Sequence, residues 1–332
     1  YLRERHGNAS SRHAAGRTAR EAVEQAREQV AASTGAHPSQ VVLCSGGTEA
    51  NNFAIQGICA ALKPSQIVVS AVEHPTVMRT AQAQLVRGWK LAKIAVDTSG
   101  RILTDSLEQA LRQPTGLVSV MLANNETGVL HDISAVAEQS KQHGAIIHTD
   151  AVQALGKVKV DFRALGVHAM SLSAHKIGGP QGVGALVLDK HVDIRPLLYG
   201  GGQEKGLRSG TENVAAIVGF GVACQLVQQE LVSRVEIMRN LRNRLEQGLL
   251  ALGATIFGEH ADRLPNTSFF ALTGIDGETL VMALDRQGFA VASGSACSSD
   301  STEPSPVLLA MGVDREMAQG AVRVSFSARN TP

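Results

Sequence analysis

The sequence alternates between short apolar runs and longer stretches with helical periodicity. The apolar runs cover residues 41–44, 67–70, 117–122, 145–148, 169–172 and 183–188. Helical stretches separate most of them, at residues 49–62, 76–87 and 133–143, and a further helix is predicted over 11–32. Strands that alternate with helices pair in parallel, and both faces of a parallel sheet need cover. The pattern therefore predicts an α/β fold with a mostly parallel mixed sheet covered by helices.

The pattern changes near residue 230. A long charged helix is predicted over about 228–250, and shorter strands follow at 254–257, 267–272, 289–292 and 322–326. A chain of 332 residues is long enough for two domains. We therefore predict a large α/β domain over residues 1–230 and a smaller α+β domain over residues 231–332.

The charge and composition exclude several classes of function. Lys plus Arg is 31 and Asp plus Glu is 30, so the net charge is +1, whereas nucleic acids and anionic membranes attract a basic surplus. Aromatic residues make up 3% of the chain, too few for a base-stacking surface. The longest apolar stretch is about 14 residues, short of the roughly 18 of a membrane span, and no secretory signal is visible. We expect neither nucleic acid nor a membrane as a partner. We expect the protein to be cytoplasmic, and an organellar location is left open because the sequence begins at Tyr1.

The four cysteines fall into two groups. No two of them have the spacing of a zinc site, so no metal is expected. Cys44, Cys59 and Cys224 lie in apolar segments and are predicted to be core residues of a protein from a reducing compartment. Cys297 lies in a loop of small polar residues over 293–302. An exposed thiol in such a loop is either a nucleophile or an incidental surface cysteine.

Polar side chains follow five of the apolar runs at the point where each run ends. The segments are Ser45-Gly46-Gly47-Thr48-Glu49, Glu73-His74, Asn124-Asn125-Glu126, Asp150 with Gln153, and Ser173-Ala174-His175-Lys176. Ligands of open α/β sheets bind outside the carboxyl ends of the strands. One polar segment has little weight because most loops are polar, but five in succession predict one shared site.

Gly47 and Thr48 stand at the start of a predicted helix. Glycine lets backbone N–H groups approach an anion at a helix N-terminus, so the segment is either a phosphate cup or a helix start capped by Thr48. A P-loop is excluded because its sequence pattern is absent. The glycines at 178–184 precede a strand rather than a helix, which is the wrong context for a dinucleotide fingerprint.

Lys176, Asp150 and His74 are the candidates with the most specific chemical roles. A partly desolvated lysine can form a Schiff base, whereas most lysines are solvated. Asp150 either pairs with the ring nitrogen of a pyridine cofactor or caps a helix. His74 either stacks on a flat ring and shuttles protons or makes structural hydrogen bonds.

Several other polar residues each allow two interpretations. Asn125 and Gln153 bind a ligand oxygen or make structural hydrogen bonds. Arg329, after the last strand, clamps a carboxylate or is solvated. The Gly-rich segment that ends at Thr211 contacts phosphate or is a linker.

The segment Ser173-Ala174-His175-Lys176-Ile177, followed by Gly179-Pro180 and Gly182, resembles the cofactor-lysine motif of the cysteine desulfurases. These enzymes belong to the class V aminotransferase group of fold type I pyridoxal-phosphate enzymes. The resemblance runs in order along nearly the whole chain. It includes His6-Gly7-Asn8-Ala9-Ser10-Ser11, Ser45-Gly46-Gly47-Thr48-Glu49, Glu73-His74, Asn124-Asn125-Glu126-Thr127-Gly128, Asp150-Ala151-Val152-Gln153, Arg208-Ser209-Gly210-Thr211, Ser295-Ala296-Cys297-Ser298-Ser299 and Arg323-Val324-Ser325-Phe326-Ser327-Ala328-Arg329.

The resemblance implies pyridoxal 5′-phosphate as cofactor and assigns residues to its ring. Lys176 would hold the cofactor as a Schiff base and later move protons. Asp150 would pair with the ring nitrogen, and Gln153 would bond the ring oxygen. His74 would stack on the ring and act in acid–base steps.

Further residues would hold the phosphate and the substrate. The phosphate ligands implied are Gly47, Thr48, Ser173 and His175, with Thr211 of the partner subunit of a homodimer. Asn125 would contact the cofactor and, with Arg329, the carboxylate of L-cysteine. Cys297 would take the sulfur as a persulfide, release L-alanine and pass sulfur to an acceptor or scaffold protein in iron–sulfur cluster or thio-cofactor synthesis. The loop after Cys297 resembles that of the subgroup with a long mobile cysteine loop.

Other functions fit parts of the pattern. A selenocysteine lyase differs only in chalcogen preference. An aminotransferase would not need Cys297. A sulfur-carrier or assembly partner of low activity would need only the Cys297 loop and would tolerate the loss of Lys176.

The chain departs from the family pattern at its ends and at two positions. The family's N-terminal Ala-Thr-Thr-Pro-like segment and the helix expected after Arg329 are not in the sequence, so both ends are expected to be truncated. Ala328 stands where a glycine is more usual, and Gln181 stands where a lysine is common.

Overall fold

The computed structural model describes residues 7–294 and 303–331. The strands are β1 Val41–Cys44, β2 Gln66–Ser70, β3 Lys90–Ile94, β4 Thr115–Ser119, β5 Ile146–Asp150, β6 Ala169–Ser173, β7 Gly184–Leu188, β8 Thr255–Ile256, β9 Thr267–Ala271, β10 Ala292–Ser293 and β11 Val322–Ser325. The helices are α1 Ala14–Ser33, α2 Gly47–Ala61, α3 Pro75–Ala83, α4 Thr104–Leu111, α5 Ile133–Gln142, α6 Phe162–Leu165, α7 Val214–Gln229, α8 Leu231–Ala251, α9 Gly277–Arg286, α10 Pro306–Ala310 and α11 Arg315–Gln319.

The first seven strands form one sheet in the order β1-β7-β6-β5-β4-β2-β3. The pairs from β3 to β6 are parallel, whereas β7 runs antiparallel to both β6 and β1. Successive side chains on a strand point to opposite faces, and Leu117 and Val118 accordingly enter two separate hydrophobic cores. Both faces are therefore covered, and the predicted mostly parallel α/β sheet is confirmed.

The last four strands form a second sheet in the order β10-β11-β9-β8. One of its hydrophobic clusters joins Phe257 and Phe269 to Val72 and Val96, which follow strands of the large sheet. The backbone N–H of Leu130 also donates to the carbonyl oxygen of Asp262 at 2.8 Å. These contacts place the small sheet beside the segments that follow β2, β3 and β4.

The predicted strands and helices agree with the structure except at a few places. Strand β3 was not predicted, because its half-exposed sequence mixes lysines with apolar residues. The helices α4, α6, α9, α10 and α11 were not predicted either, and the strand predicted over 289–292 overlaps β10 at Ala292 only. The long helix predicted over about 228–250 starts later, and α7 and α8 are separate helices that meet at Glu230. The two sheets lie on either side of this break, within residues 41–188 and 255–325. The domain boundary at 230 stays a prediction.

Within the described residues, no single helix has both the length and the apolar character to cross a membrane. Helices α7 and α8 reach both only when they are counted together, and they are bent by 77° at the break between them.

Candidate active site

A cavity of about 560 Å³ lies where the parallel strands of the large sheet end. Residues that follow β1, β2, β4, β5 and β6 line it, and so do residues that precede the antiparallel β7, which starts at the same edge. The lining residues are Ser45, Gly46, Gly47, Thr48, Glu49, Asn51, His74, Thr76, Met121, Asn125, Asp150, Val152, Gln153, Ser173, His175, Lys176, Gln181, Gly182 and Arg323. The structure thus brings the five predicted strand-end segments to one site.

The N-terminus of α2 forms one wall of this cavity. The helix begins at Gly47, its N-cap is Gly46 with φ 151°, and no side chain of the described residues caps it. The start capped by Thr48 is therefore wrong. The first-turn N–H groups have no partner inside the helix, so they offer donors and positive potential to an anion. Gly47 is required here, because an added Cβ would lie 2.8 Å from Cγ2 of Val152.

A half-buried ion pair fixes the loop beside this helix. Nε of Arg208 donates to Oε1 of Glu49 at 2.7 Å, and Oε2 of Glu49 accepts from the backbone N–H of Ser45 at 2.8 Å. These hydrogen bonds lower the pKa of Glu49 against the opposing effect of burial. Thr211 lies three residues after Arg208, is exposed and lines an adjacent depression rather than the cavity itself.

A chain of hydrogen bonds runs from Asp150 to His74. Nδ2 of Asn51 donates to Oδ2 of Asp150 at 2.7 Å and to Oγ1 of Thr76 at 2.9 Å. Oγ1 of Thr76 lies 2.7 Å from Nδ1 of His74, and the backbone N–H of Thr76 donates to the same nitrogen at 3.2 Å. Because a backbone N–H only donates, Nδ1 is an acceptor and the neutral ring carries its proton on Nε2.

Burial sets the protonation of Asp150 and His74, the two ends of this hydrogen-bond network. It raises the pKa of Asp150, while the hydrogen bond from Asn51 and the charges of His74 and Lys176 oppose that rise. Burial lowers the pKa of His74 against the attraction of Asp150. The imidazole is therefore neutral at pH 7. Asp150 also accepts from the backbone N–H of Val152 at 2.9 Å and does not cap a helix.

Glu73 is a second buried acid beside the site. Oε1 of Glu73 accepts from Oγ of Ser70 at 2.5 Å and from the backbone N–H of Met121 at 2.8 Å. Burial raises the pKa of Glu73 to about 8. The side chain therefore joins the ends of β2 and β4 as a neutral acid, without adding a second negative charge near Asp150.

Lys176 lies in a short 3-10 turn, Ala174–Ile177, directly after β6. Its neighbour His175 contacts Oγ of Ser173 through Nδ1 at 2.9 Å. Burial and the positive charge of Lys176 lower the pKa of His175. The turn places Lys176 on the wall of the cavity that His175 and Asp150 also line.

The segment after β4 presents Asn125 to the cavity. Oδ1 of Asn124 accepts from the backbone N–H groups of Glu126 and Thr127, both at 2.9 Å, which fixes the turn. The carbonyl oxygen of Asn125 accepts from Nη1 of Arg323 at 2.7 Å. Nε of Arg323 is buried and has no partner among the described residues. A guanidinium with a free buried donor at a cavity is suited to a carboxylate.

The structure does not bring Arg329 to the site. Its side chain is exposed, because the chain leaves the sheet after β11 and turns back on itself, with the N–H of Asn330 donating to the carbonyl oxygen of Ser327. Arg323, inside β11, lines the cavity instead. The alternation of apolar and polar residues in β11 is the signal that could have identified Arg323, which lies between the apolar Val322 and Val324.

The cysteines divide as predicted as far as the structure describes them. Cys44, Cys59 and Cys224 are buried core residues. Burial raises the pKa of each thiol to about 12, so none is a reactive thiolate at neutral pH. Cys297 lies outside the described residues.

The sequence reasoning missed Asn51 and Thr76. Each lies in the first turns of a helix that follows a strand end, so both share the site with the predicted residues. A polar residue on the first turn of such a helix is the signal that could have identified them.

Comparisons with known proteins agree with this geometry. The family model of class V aminotransferases matches residues 1–332. A cysteine desulfurase from Sinorhizobium fredii is 45% identical over 329 residues, 98% of this chain and 85% of its own length. Cysteine desulfurase IscS from Dictyoglomus turgidum is 40% identical over 335 residues, 100% of this chain and 85% of its own length.

The fold has close relatives as well. The solved structure of a NifS-like protein matches with a TM-score of 0.94 and 38% identity, and the match covers 99% of this chain and 88% of that chain. The predicted type of fold is therefore confirmed. This chain belongs to the class V aminotransferase family and, within it, to the cysteine desulfurase group.

Proposed function

We propose that this chain is a pyridoxal-phosphate-dependent cysteine desulfurase, which takes the sulfur of L-cysteine and releases L-alanine. The observation that carries the proposal is one cavity that holds the amine of Lys176, the buried carboxyl of Asp150 and the uncapped N-terminus of α2. An amine, an acid for a ring nitrogen and an anion site are the three groups that this cofactor needs.

The residues of the cavity fit the cofactor. The N–H groups at Gly47 and Thr48, together with Ser173 and His175, would hold its phosphate, and Asp150 would hold its ring nitrogen. When bound, the cofactor supplies a reactive carbonyl carbon and an electron-withdrawing ring. Thr211 of the partner subunit would complete the phosphate site in a homodimer.

Four side chains of the cavity would transfer protons or bind the substrate. Nζ of Lys176 would bind the cofactor carbon and, once the amine of the substrate displaces it, accept and return a proton. His74 would stack on the ring as a neutral imidazole whose Nε2 is the position for proton exchange. Arg323, with Asn125 beside it, would bind the carboxylate of the substrate.

Cys297 would take the sulfur. Its Sγ forms a bond to the sulfur of the substrate as the bond between that sulfur and Cβ breaks. The thiol thereby becomes a persulfide, and the carbon skeleton leaves as alanine with a proton returned to it. The overall reaction of L-cysteine and a thiol to alanine and a persulfide balances without an added oxidant or reductant. An acceptor protein of iron–sulfur cluster or thio-cofactor synthesis would then receive the sulfur.

The test is peptide mass spectrometry after incubation with pyridoxal phosphate and L-cysteine in the absence of reductant. We expect one added sulfur atom on the Cys297 peptide and an equal amount of alanine. Lys176→Ala should abolish both products, and Cys297→Ser should abolish the persulfide. Alanine formation with no sulfur on Cys297 would move the nucleophile elsewhere. If Cys297→Ser still turns over L-cysteine at the wild-type rate, the chain would be an aminotransferase instead.

A further inference from the structure

Lys157 lies behind Gln153, in the wall of a second and larger groove. Gln153 lines the cavity that holds Lys176 and Asp150. Lys157 lines a groove of about 1280 Å³ between the segment after β4 and helix α8. The contact between these two side chains is therefore part of the wall that separates the groove from the cavity.

The geometry of this contact is well defined. Nζ of Lys157 donates to the backbone carbonyl oxygen of Gln153 at 2.8 Å and to its side-chain Oε1 at 2.9 Å. A tight turn after β5 brings the two residues together, with the N–H of Lys157 donating to the carbonyl oxygen of Ala154 at 3.0 Å. Gly156 allows the turn, because it adopts φ 73° and packs against Ile177.

The orientation of the Gln153 amide follows from the chemistry of its partner. Nζ of Lys157 donates to both oxygens of Gln153, and its ammonium form has three N–H donors and no acceptor, so the amide atom that faces this form is the oxygen. The Nε2 donor is then left for the other side of the residue, which lines the cavity. From this geometry we infer that Lys157 is a positioning residue, which fixes Gln153 with its N–H donor toward the ring oxygen of the cofactor.

The surroundings of Lys157 strengthen this effect. Lys157 is 8% exposed as a residue. Burial lowers its pKa to about 7, and the positive charges of Lys176, Arg323 and Arg234 add to that effect. A donor in a low-dielectric environment polarises the amide that it binds, and a polarised amide is a stronger donor in turn.

This inference rests on the proposed function, because it concerns the bound cofactor. A stronger N–H donor favours the deprotonated ring oxygen. Loss of Lys157 should therefore weaken the binding of pyridoxal phosphate about five- to tenfold, as expected for one hydrogen bond. It should also raise the pH at which the visible band of the bound cofactor titrates, by about half a unit to one unit.

The experiment measures both quantities by titrating wild type, Lys157→Met and the control Lys159→Met with pyridoxal phosphate. Lys159 lines the same groove and is exposed, so its variant should match wild type. Lys157→Leu removes the same donor and serves as a second variant in case Lys157→Met does not fold. The decisive comparison is Lys157→Met in a Gln153→Ala background, where we expect no further loss of affinity and no further shift in pH.

Three results would overturn the inference. Lys157→Met could match wild type in both quantities. Its shifts could persist undiminished in the Gln153→Ala background, which would mean that the charge acts on Lys176 directly. Wild-type protein that takes up no pyridoxal phosphate would contradict the proposed function as well, so the two failures are distinguishable.

Discussion

Asn51 donates a hydrogen bond from Nδ2 to Oδ2 of Asp150 over 2.7 Å, and both side chains are buried. The other N–H of the same amide reaches Thr76, which in turn contacts His74. One asparagine therefore connects the acid assigned to the ring nitrogen with the imidazole assigned to the ring face. Its carbonyl oxygen Oδ1 is buried without a partner among the described residues.

Asn51→Leu should weaken the binding of pyridoxal phosphate by about tenfold or more. The substitution removes a hydrogen bond to a carboxylate, which contributes about 1.5–3 kcal/mol, and the pKa of Asp150 should rise further because the opposing interaction is lost. An absorbance titration with pyridoxal phosphate measures the change.

Asn240→Leu is the matched control, because Asn240 is exposed on α8. It should bind the cofactor as wild type does. Equal affinity in Asn51→Leu and Asn240→Leu would show that Asn51 does not support Asp150.

Gly47→Ala should weaken cofactor binding, and a second substitution should restore part of it. The new Cβ would lie 2.8 Å from Cγ2 of Val152, so the first turn of α2 must shift. Overpacking of this kind costs about 1–3 kcal/mol. In Gly47→Ala/Val152→Ala the colliding methyl group is absent, and we expect a recovery of at least half of the lost binding free energy in the same titration. A double variant no better than Gly47→Ala would disprove the steric explanation.

The fold could be predicted from the sequence because its central strands are short apolar runs buried on both faces. The strand β5, for example, differs by only a residue or two at each end from the predicted run. Strand β3 escaped prediction because an edge strand is half-exposed, and its lysines resemble those of a loop. Local pattern therefore identified the buried strands, including β1 at one edge of the sheet, and missed the half-exposed β3 at the other edge.

The site was predictable where a residue ends a strand or lies in the turn directly after it, as Asp150 and Lys176 do. It was not predictable where tertiary structure brings a residue in from elsewhere. Arg323 comes from the second sheet, and only the packing of that sheet against the segment after β4 places it beside Asn125. The contact of Lys157 with Gln153 likewise depends on a turn whose shape the sequence does not reveal.

Arg323→Gln should raise the KM for L-cysteine by about 100-fold, because a charge-assisted bond to the substrate carboxylate is lost. The affinity for pyridoxal phosphate should change little. Arg329→Gln is the matched control: Arg329 is exposed outside the cavity, so its KM should equal that of wild type. Steady-state alanine production at varied L-cysteine concentration separates the two. A raised KM in Arg329→Gln with an unchanged KM in Arg323→Gln would restore the carboxylate role to Arg329.

Glu126 joins the active-site segment to the residues that follow the Cys297 loop. Its Oε2 accepts a hydrogen bond from Oγ of Ser305, the N-cap of α10, and the carboxyl group is buried. Burial raises the pKa of Glu126 from 4.5 to about 7, against the hydrogen bond of Ser305 and the charge of Arg323. The folded state therefore holds this proton over a range of pH in which the unfolded state has lost it.

This proton makes the free energy of unfolding depend on pH with a definite sign. Because the folded pKa lies above the unfolded one, the contribution of Glu126 is fully present below pH 4.5 and is lost as the pH rises through about 7. Glu126→Gln keeps a neutral side chain of the same size, so it should lose up to about 3 kcal/mol less than wild type between pH 5 and pH 8. Urea unfolding at the two pH values measures the difference. Glu316→Gln, at an exposed position of α11, should follow wild type. Parallel slopes for wild type and Glu126→Gln would mean that Glu126 is already ionised in the folded protein, in which case its carboxylate is stabilised by Ser305 and Arg323 rather than kept neutral by burial.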